Sequence, residues 1–213
     1  DHNGRRSMHG FAVDVTDIQE ANQLIARQAM EDSLTGLANR RRLFIELGEL
    51  NQACTPLALF MIDLDLFKKV NDSFGHEAGD HLLQFVASQL RELIGDDGLV
   101  ARLGGDEFAI VCPGLTSEAE TAALVAKIRS ATSEPVALAN GQVSISLSIG
   151  VAISAGLVDG TTLLRHADIA MYEAKEHGQP YQVFDLTLDP SSAMTLSLGP
   201  ALHHGIEAEQ PQL

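Results

Sequence analysis

Carboxylates stand where an apolar run stops. Residues 57–62 are continuously hydrophobic and lead directly into Asp63-Leu64-Asp65-Leu66-Phe67-Lys68-Lys69-Val70-Asn71-Asp72. By strand alternation Asp63 and Asp65 point to one side and Leu64 to the other. Charges at the mouth of a buried strand are costly unless something pairs with them. A hard cation such as Mg2+ suits carboxylate oxygens, and Lys68 and Lys69 follow where phosphates could be met. The plain alternative is a strand end that enters solvent, with lysine pairing aspartate. A second acidic pair, Asp106 and Glu107, follows Gly104-Gly105. Two glycines at a hairpin tip allow positive φ and let the backbone at Gly105 come close to a ligand. If the two strands are neighbours, one of these acids can face Asp63 and complete a metal site. Asn71 and Asp80 offer the donors and acceptors that guanine's O6, N1 and N2 require. His76 lies between them; helix capping is the competing role for Asn71 and Asp80, and a structural histidine the competing reading of His76. Lys175 stands near a helix end, where it either offsets the helix dipole or reaches a phosphate from a distant segment.

The elements that must position these groups follow from periodicity and turn chemistry. Residues 57–62 read as a buried central strand. Asn39 caps a helix to about Gln52, and a long helix runs from Gly75 to about Ile94. Residues 99–103 and 108–112 form a hairpin around Gly104-Gly105, and 135–138 with 143–153 a second hairpin across Asn140-Gly141. Helices are expected over 116–132 and 161–177, with a short last strand at 181–184. Mixed hairpins and crossover helices predict an α+β fold, a sheet with helices packed on its faces. Outside this block, 10–16 alternates as a strand would, 17–30 reads as a helix and 193–209 as another.

Composition narrows the partners. The chain has 213 residues, 45% hydrophobic and 20% charged, which is globular composition for one domain with extensions. No apolar run approaches the roughly 18–20 residues of a membrane span. A net charge of −15 disfavours nucleic acid and anionic lipid as partners. A bound nucleotide, itself anionic, would then need divalent metal and a few placed cations. Cys54 and Cys112 lack zinc-site spacing and read as two buried reduced thiols of a cytoplasmic protein.

The ordered strings Asp32-Ser-Leu-Thr-Gly-Leu-Ala-Asn-Arg40, Asp63 to Asp80, Arg102-Leu-Gly-Gly-Asp-Glu-Phe108, Ser148-Ile-Gly-Val-Ala152 and Ala167-Asp-Ile-Ala-Met-Tyr-Glu-Ala-Lys175 resemble the GGDEF family of diguanylate cyclases. The resemblance covers about residues 32 to 184. It implies a ferredoxin-like, antiparallel-rich central sheet flanked by helices. It implies Mg2+ (or Mn2+) as cofactor, GTP as substrate and a homodimer whose two domains each hold one GTP to make cyclic di-GMP. Position by position, Asp63 and the carbonyl of Leu64 would hold metal. Asp106 would hold metal and serve as general base, with Glu107 supporting the site. Asn71 and Asp80 would read guanine, His76 nearby. Lys68 and the backbone around Leu66, Phe67 and Gly105 would cradle the substrate, and Lys175 would reach the terminal phosphate.

Two departures from that family stand out. Its Arg-x-x-Asp product-inhibition site corresponds to Gly95-Asp-Asp-Gly98 here, and its Gly-Arg-Asn after the lysine to Gly178-Gln179-Pro180. The first implies no inhibition through that segment, the second a lost phosphate contact. The flanks also resemble known neighbours: 1–16 the tail of a PAS-like sensor domain, 17–31 a linker helix, 32–186 the cyclase domain, and 187–213 a linker toward an EAL phosphodiesterase domain. The expected parent is a PAS–GGDEF–EAL protein, with any membrane tether outside this segment. The alternative function is a catalytically weak GTP-binding module that controls the attached phosphodiesterase; an idle dimerisation domain is a third reading.

Overall fold

In the computed structural model, the structure describes residues 29–138, 141–156 and 158–188. The expected strand at 10–16, the helix at 193–209 and all but the last two residues of the helix at 17–30 lie outside them. The element order is β1 (Ala38–Asn39), α1 (Arg40–Gln52), β2 (Leu57–Leu64), α2 (Phe67–Phe74), α3 (His76–Ile94), β3 (Leu99–Gly104), β4 (Glu107–Pro113), α4 (Glu118–Ala131), β5 (Val136–Leu138), β6 (Gly141–Val143), β7 (Leu147–Ser154), α5 (Gly160–Glu176) and β8 (Tyr181–Val183). Six strands form one sheet in the order β1-β3-β4-β2-β7-β8. The four central strands are antiparallel, while β1 and β8 pair parallel at the edges. The α+β, antiparallel-rich expectation agrees with this.

β2 is the axis of the sheet, and all eight of its residues are buried. Alternate side chains feed two cores. Ala58, Phe60, Ile62 and Leu64 face a layer containing Leu82, Val86 and Leu90 of α3 and Val125 and Ile128 of α4. Leu57, Leu59 and Met61 face one containing Leu43 and Leu47 of α1 and Leu163, Ala167 and Met171 of α5. A fully buried Leu, Ile, Phe or Met contributes about 1.5–3 kcal/mol. Six such side chains in β2 therefore fix its depth, and Asp63 is carried inward with them.

Four local differences from the sequence reading have physical causes. β1 is two residues long, too short for any periodicity to betray it. α2 was not expected; Leu66, in the left-handed region at φ 61°, turns the chain from β2 into it, and Gly75 at φ 87° separates it from α3. The expected strand at 143–153 is divided. β6 pairs with β5 in a separate two-stranded sheet, and β7 joins β2 in the main sheet. The break falls at Ser146, where the chain binds Asp65 beyond the end of β2. Both cysteines are free, but Cys54 is exposed, not buried, because it lies in the turn that ends α1. Cys112 is buried, and burial with the nearby Asp97 pushes its thiol up to about 11.

The opening turn is tied to the Gly104-Gly105 hairpin. Asp32 accepts from the Thr35 amide at 2.9 Å and the Thr35 hydroxyl at 2.7 Å. The Arg102 Nη1 reaches both Asp32 oxygens, at 3.0 and 3.2 Å. The same guanidinium donates Nε and Nη2 to the carbonyl of Gly105, at 3.1 and 2.7 Å. Burial alone would raise the Asp32 pKa, but Thr35 and then Arg102 hold it below the ordinary 3.8. Replacing Asp32 with Asn should cost about 1–3 kcal/mol at neutral pH, since charge-assisted bonds are lost. A carboxyl with a depressed folded-state pKa stabilises above its unfolded value and loses that contribution as pH falls through the folded one. Urea unfolding at about pH 7 and about pH 3 should therefore show a gap between wild type and Asp32→Asn that shrinks in acid.

Candidate functional site

The carboxylates meet at one end of the sheet. Asp63 is paired directly across from Glu107 on β4 and from Ser148 on β7. Residues opposite one another in an antiparallel pair share a face, so Asp63 and Glu107 project together toward the α1/α5 side. The amide of Leu64 donates to the carbonyl of Asp106 at 3.3 Å, which fixes the signature turn against the end of β2. That turn needs its glycines: Gly104 and Gly105 have φ of 140° and 55°, values that favour residues without Cβ. Asp65 accepts from the hydroxyls of Ser146 and Ser148, both at 2.7 Å, and its amide donates to the Ser146 carbonyl at 3.0 Å. Its charge is thus stabilised by hydroxyls.

Asp63 has a different partner. Lys175, in the last turn of α5, donates Nζ to Asp63 Oδ1 at 2.5 Å. The carboxylate is 13% exposed and the lysine side chain 47%. The lysine pKa is raised, first by that hydrogen bond against the opposing effect of burial, then by the charges of Asp63, Asp65 and Asp106. Glu107 is also raised, by burial, then by Asp168, with Arg40 opposing, then by Asp106 and Asp63. These mutual influences place Asp63, Asp65, Asp106, Glu107 and Lys175 in one electrostatic neighbourhood. Among the described residues, no three Asp, Glu, His or Cys side chains are gathered into a metal cage. The oxygen donors of Asp63, Leu64, Asp106 and Glu107 nonetheless suit a hard divalent ion. The ammonium seated on Asp63 is a stand-in cation at that position, so the residues fit Mg2+ or Mn2+.

Beside this edge, α2 and α3 form a notch. Phe67 and Lys68 open α2 with amides that precede its first backbone bonds, which run from Lys69 and Val70 to the Leu66 carbonyl at 2.8 and 3.3 Å. Lys68 is exposed, and Leu66 before it is 62% exposed. Asn71 Oδ1 is buried without a hydrogen-bond partner. It lies against Gly79: a Cβ there would stand 2.0 Å from Asn71 Oδ1 and 3.1 Å from Phe67 Cζ. Asp80, the next residue, is exposed, as is His76 at the start of α3.

The structure therefore brings Asp63, Leu64, Gly105, Asp106, Glu107 and Lys175 to one sheet end, and Leu66, Phe67, Lys68, Asn71 and Asp80 to the adjoining helix pair. Among the described residues, the His76 side chain has no hydrogen-bond partner there. Sequence reasoning gave no role to Ser146, Ser148, Arg40, Asp168 or the Asp32–Arg102 pair. Asp32, Arg40, Arg102, Ser148 and Asp168 carried a signal only as members of the quoted strings, and Ser146 carried none.

The site is thus an acidic sheet end beside a helix pair, in an α+β domain. The family model "Diguanylate cyclase, GGDEF domain" matches residues 29–180. The chain belongs to the GGDEF diguanylate cyclase family. It is 40% identical over 168 residues to the diguanylate cyclase TpbB of Pseudomonas aeruginosa, covering 76% of this chain and 39% of that protein. It is 36% identical over 207 residues to the bifunctional diguanylate cyclase/cyclic di-GMP phosphodiesterase MucR of the same organism, covering 93% and 30%. The chain thus spans less than two fifths of either relative. Among solved structures, the coiled coil and GGDEF domain of DgcB from Caulobacter crescentus, in complex with c-di-GMP, superimposes with a TM-score of 0.71 at 29% identity, covering 80% of this chain and 92% of that one. Among the described residues, no helix is long and apolar enough to cross a membrane.

The Asn71–Gly79 contact makes a prediction independent of any ligand. Gly79→Ala should lower stability by about 1–3 kcal/mol, as overpacking does. An unchanged urea midpoint would mean that α2 and α3 separate freely.

Proposed function

We propose that the chain is a metal-dependent diguanylate cyclase that condenses two GTP into cyclic di-GMP and two pyrophosphate as a dimer. The observation that supports it most is the pairing of Asp63 with Glu107 beside the Asp106 turn, with a cation already drawn to Asp63. Family membership supports the same reading.

In this reading the 3′-hydroxyl of one GTP forms a bond to the α-phosphorus of the other, and the bond to pyrophosphate breaks. Asp106 accepts the hydroxyl proton. The step then repeats with the roles exchanged, so atoms and charge balance over two turns. Mg2+ held by Asp63, the Leu64 carbonyl, Asp106 and Glu107 would neutralise charge on the phosphates. Lys68, the first-turn amides of α2 and Lys175 orient the phosphates, and the backbone at Gly105 allows close approach. Asn71, whose buried oxygen lacks a partner, and Asp80 bind guanine. A buried acceptor left unpaired costs about 1–3 kcal/mol, which a bound base would offset. One domain holds one GTP, so two domains must meet with their sites facing one another.

A second reading is a GTP-binding module that regulates an attached phosphodiesterase. Gln179-Pro180 favours it, since the family's phosphate-binding arginine is missing there. The bifunctional relative MucR shows that the two activities occur in one protein. PAS and EAL neighbours, the limits 32–186 for the cyclase domain, and a cytoplasmic location belong to the same proposal.

Incubating the chain with GTP and Mg2+ separates the readings: cyclic di-GMP formation supports the first, GTP binding without turnover the second. Asp106→Ala should reduce turnover by at least about a hundredfold, the low end for a positioned proton acceptor; undiminished turnover would remove Asp106 from its role. Titrating product into the reaction should show no inhibition that depends on residues 95–98. A Gly95→Ala variant that relieved product inhibition would contradict this.

A further inference from the structure

The Lys175–Asp63 pair is unequal. Asp63 sits at the end of a strand buried along its whole length and keeps little contact with water, whereas almost half of the lysine side chain is exposed. An ammonium that leaves for water loses little. A carboxylate left bare in that setting loses much more, because desolvated charge is costly without a partner. The lysine therefore leaves only when another cation replaces it. Asp65 needs no such replacement, since two serine hydroxyls hold it. Lys175 and a metal ion thus compete for one carboxylate.

We propose that Lys175 is a resident counter-ion of Asp63 that metal displaces, and that the displaced ammonium then binds the phosphates brought in with the metal. This rests on the proposed function. It adds a coupling that the reading does not contain: metal alone must overcome the ion pair, while metal with nucleotide gains a phosphate contact from the same lysine. The pair thereby disfavours loading of the site by bare metal and favours the metal–nucleotide complex. Gln179 sharpens the requirement, because the arginine that would share the phosphate charge is missing and Lys175 must supply more of it.

The coupling has opposite signs for its two ligands, which makes it measurable without turnover. Mn2+ is titrated into the full chain without nucleotide, and free Mn2+ is followed by its electron paramagnetic resonance signal. Lys175→Met should bind bare Mn2+ roughly tenfold more tightly than wild type, within the usual range of such couplings. The same variant should bind Mn2+ with a GTP analogue carrying an α,β-methylene bridge more weakly. Lys175→Arg, which keeps a cation on Asp63, should match wild type with bare Mn2+. Lys69→Met, which removes an exposed charge of α2 that is not paired with Asp63, should leave bare Mn2+ affinity unchanged. If Lys175→Met leaves bare Mn2+ affinity unchanged, or Lys69→Met raises it equally, the exchange is wrong while the cyclase reading stands. If wild type and Lys175→Met bind neither bare Mn2+ nor the analogue complex, the cyclase reading falls and the exchange with it.

Discussion

A carboxylate at the end of a strand buried on both faces must be matched by positive charge, and much of this molecule is arranged around that demand. The apolar side chains of β2 set how deep Asp63 lies. Burial of hydrocarbon is non-directional and large, so the acid has no freedom to retreat to solvent. What remains adjustable is the cation. In the structure it is the ammonium of Lys175, brought from 112 residues away by the packing of α5 on β7 and β2.

The surrounding acids are stabilised in different ways, and the differences assign their roles. Asp65 rests on two serine hydroxyls and serves to end β2 and hold the chain entering β7. Glu107 is half-buried among other acids, with Arg40 as the main relief. Asp106 sits in a turn whose backbone is bonded to Leu64 on one side and clamped through Arg102 at Gly105 on the other. A site built of like charges repels itself, so its geometry needs fixed backbone around it. The Asp32–Arg102 tie and the β2–β4 register supply that rigidity.

Much of the fold was legible from local rules. The apolar run of β2 and the alternation around the two glycine turns announced strands. Asn39 announced α1, and its side chain does accept from the Arg42 amide. The reading failed where a turn conformation or a tertiary contact overrode the local pattern. Cys54 was expected to be buried, yet it lies exposed in a turn at φ 50°. The stretch after Asn140 alternates like one long strand, but Asp65 captures Ser146 and splits it. α2 was hidden because Leu66 turns the chain with a positive φ unusual for a branched side chain.

The sequence by itself determined which chemistry is available: oxygen ligands, a glycine hairpin, an amide–carboxylate pair suited to guanine, and membership of a family through ordered strings of residues. Residue type and short-range spacing carry that information, because alternation and turn preference act over a few positions. Only the tertiary structure decided which of these groups meet. That Asp63 faces Glu107, that Asn71 is pressed against Gly79, and that Lys175 rests on Asp63 all depend on sheet register and helix packing. Those are settled by burying the whole core at once, and no local segment encodes them.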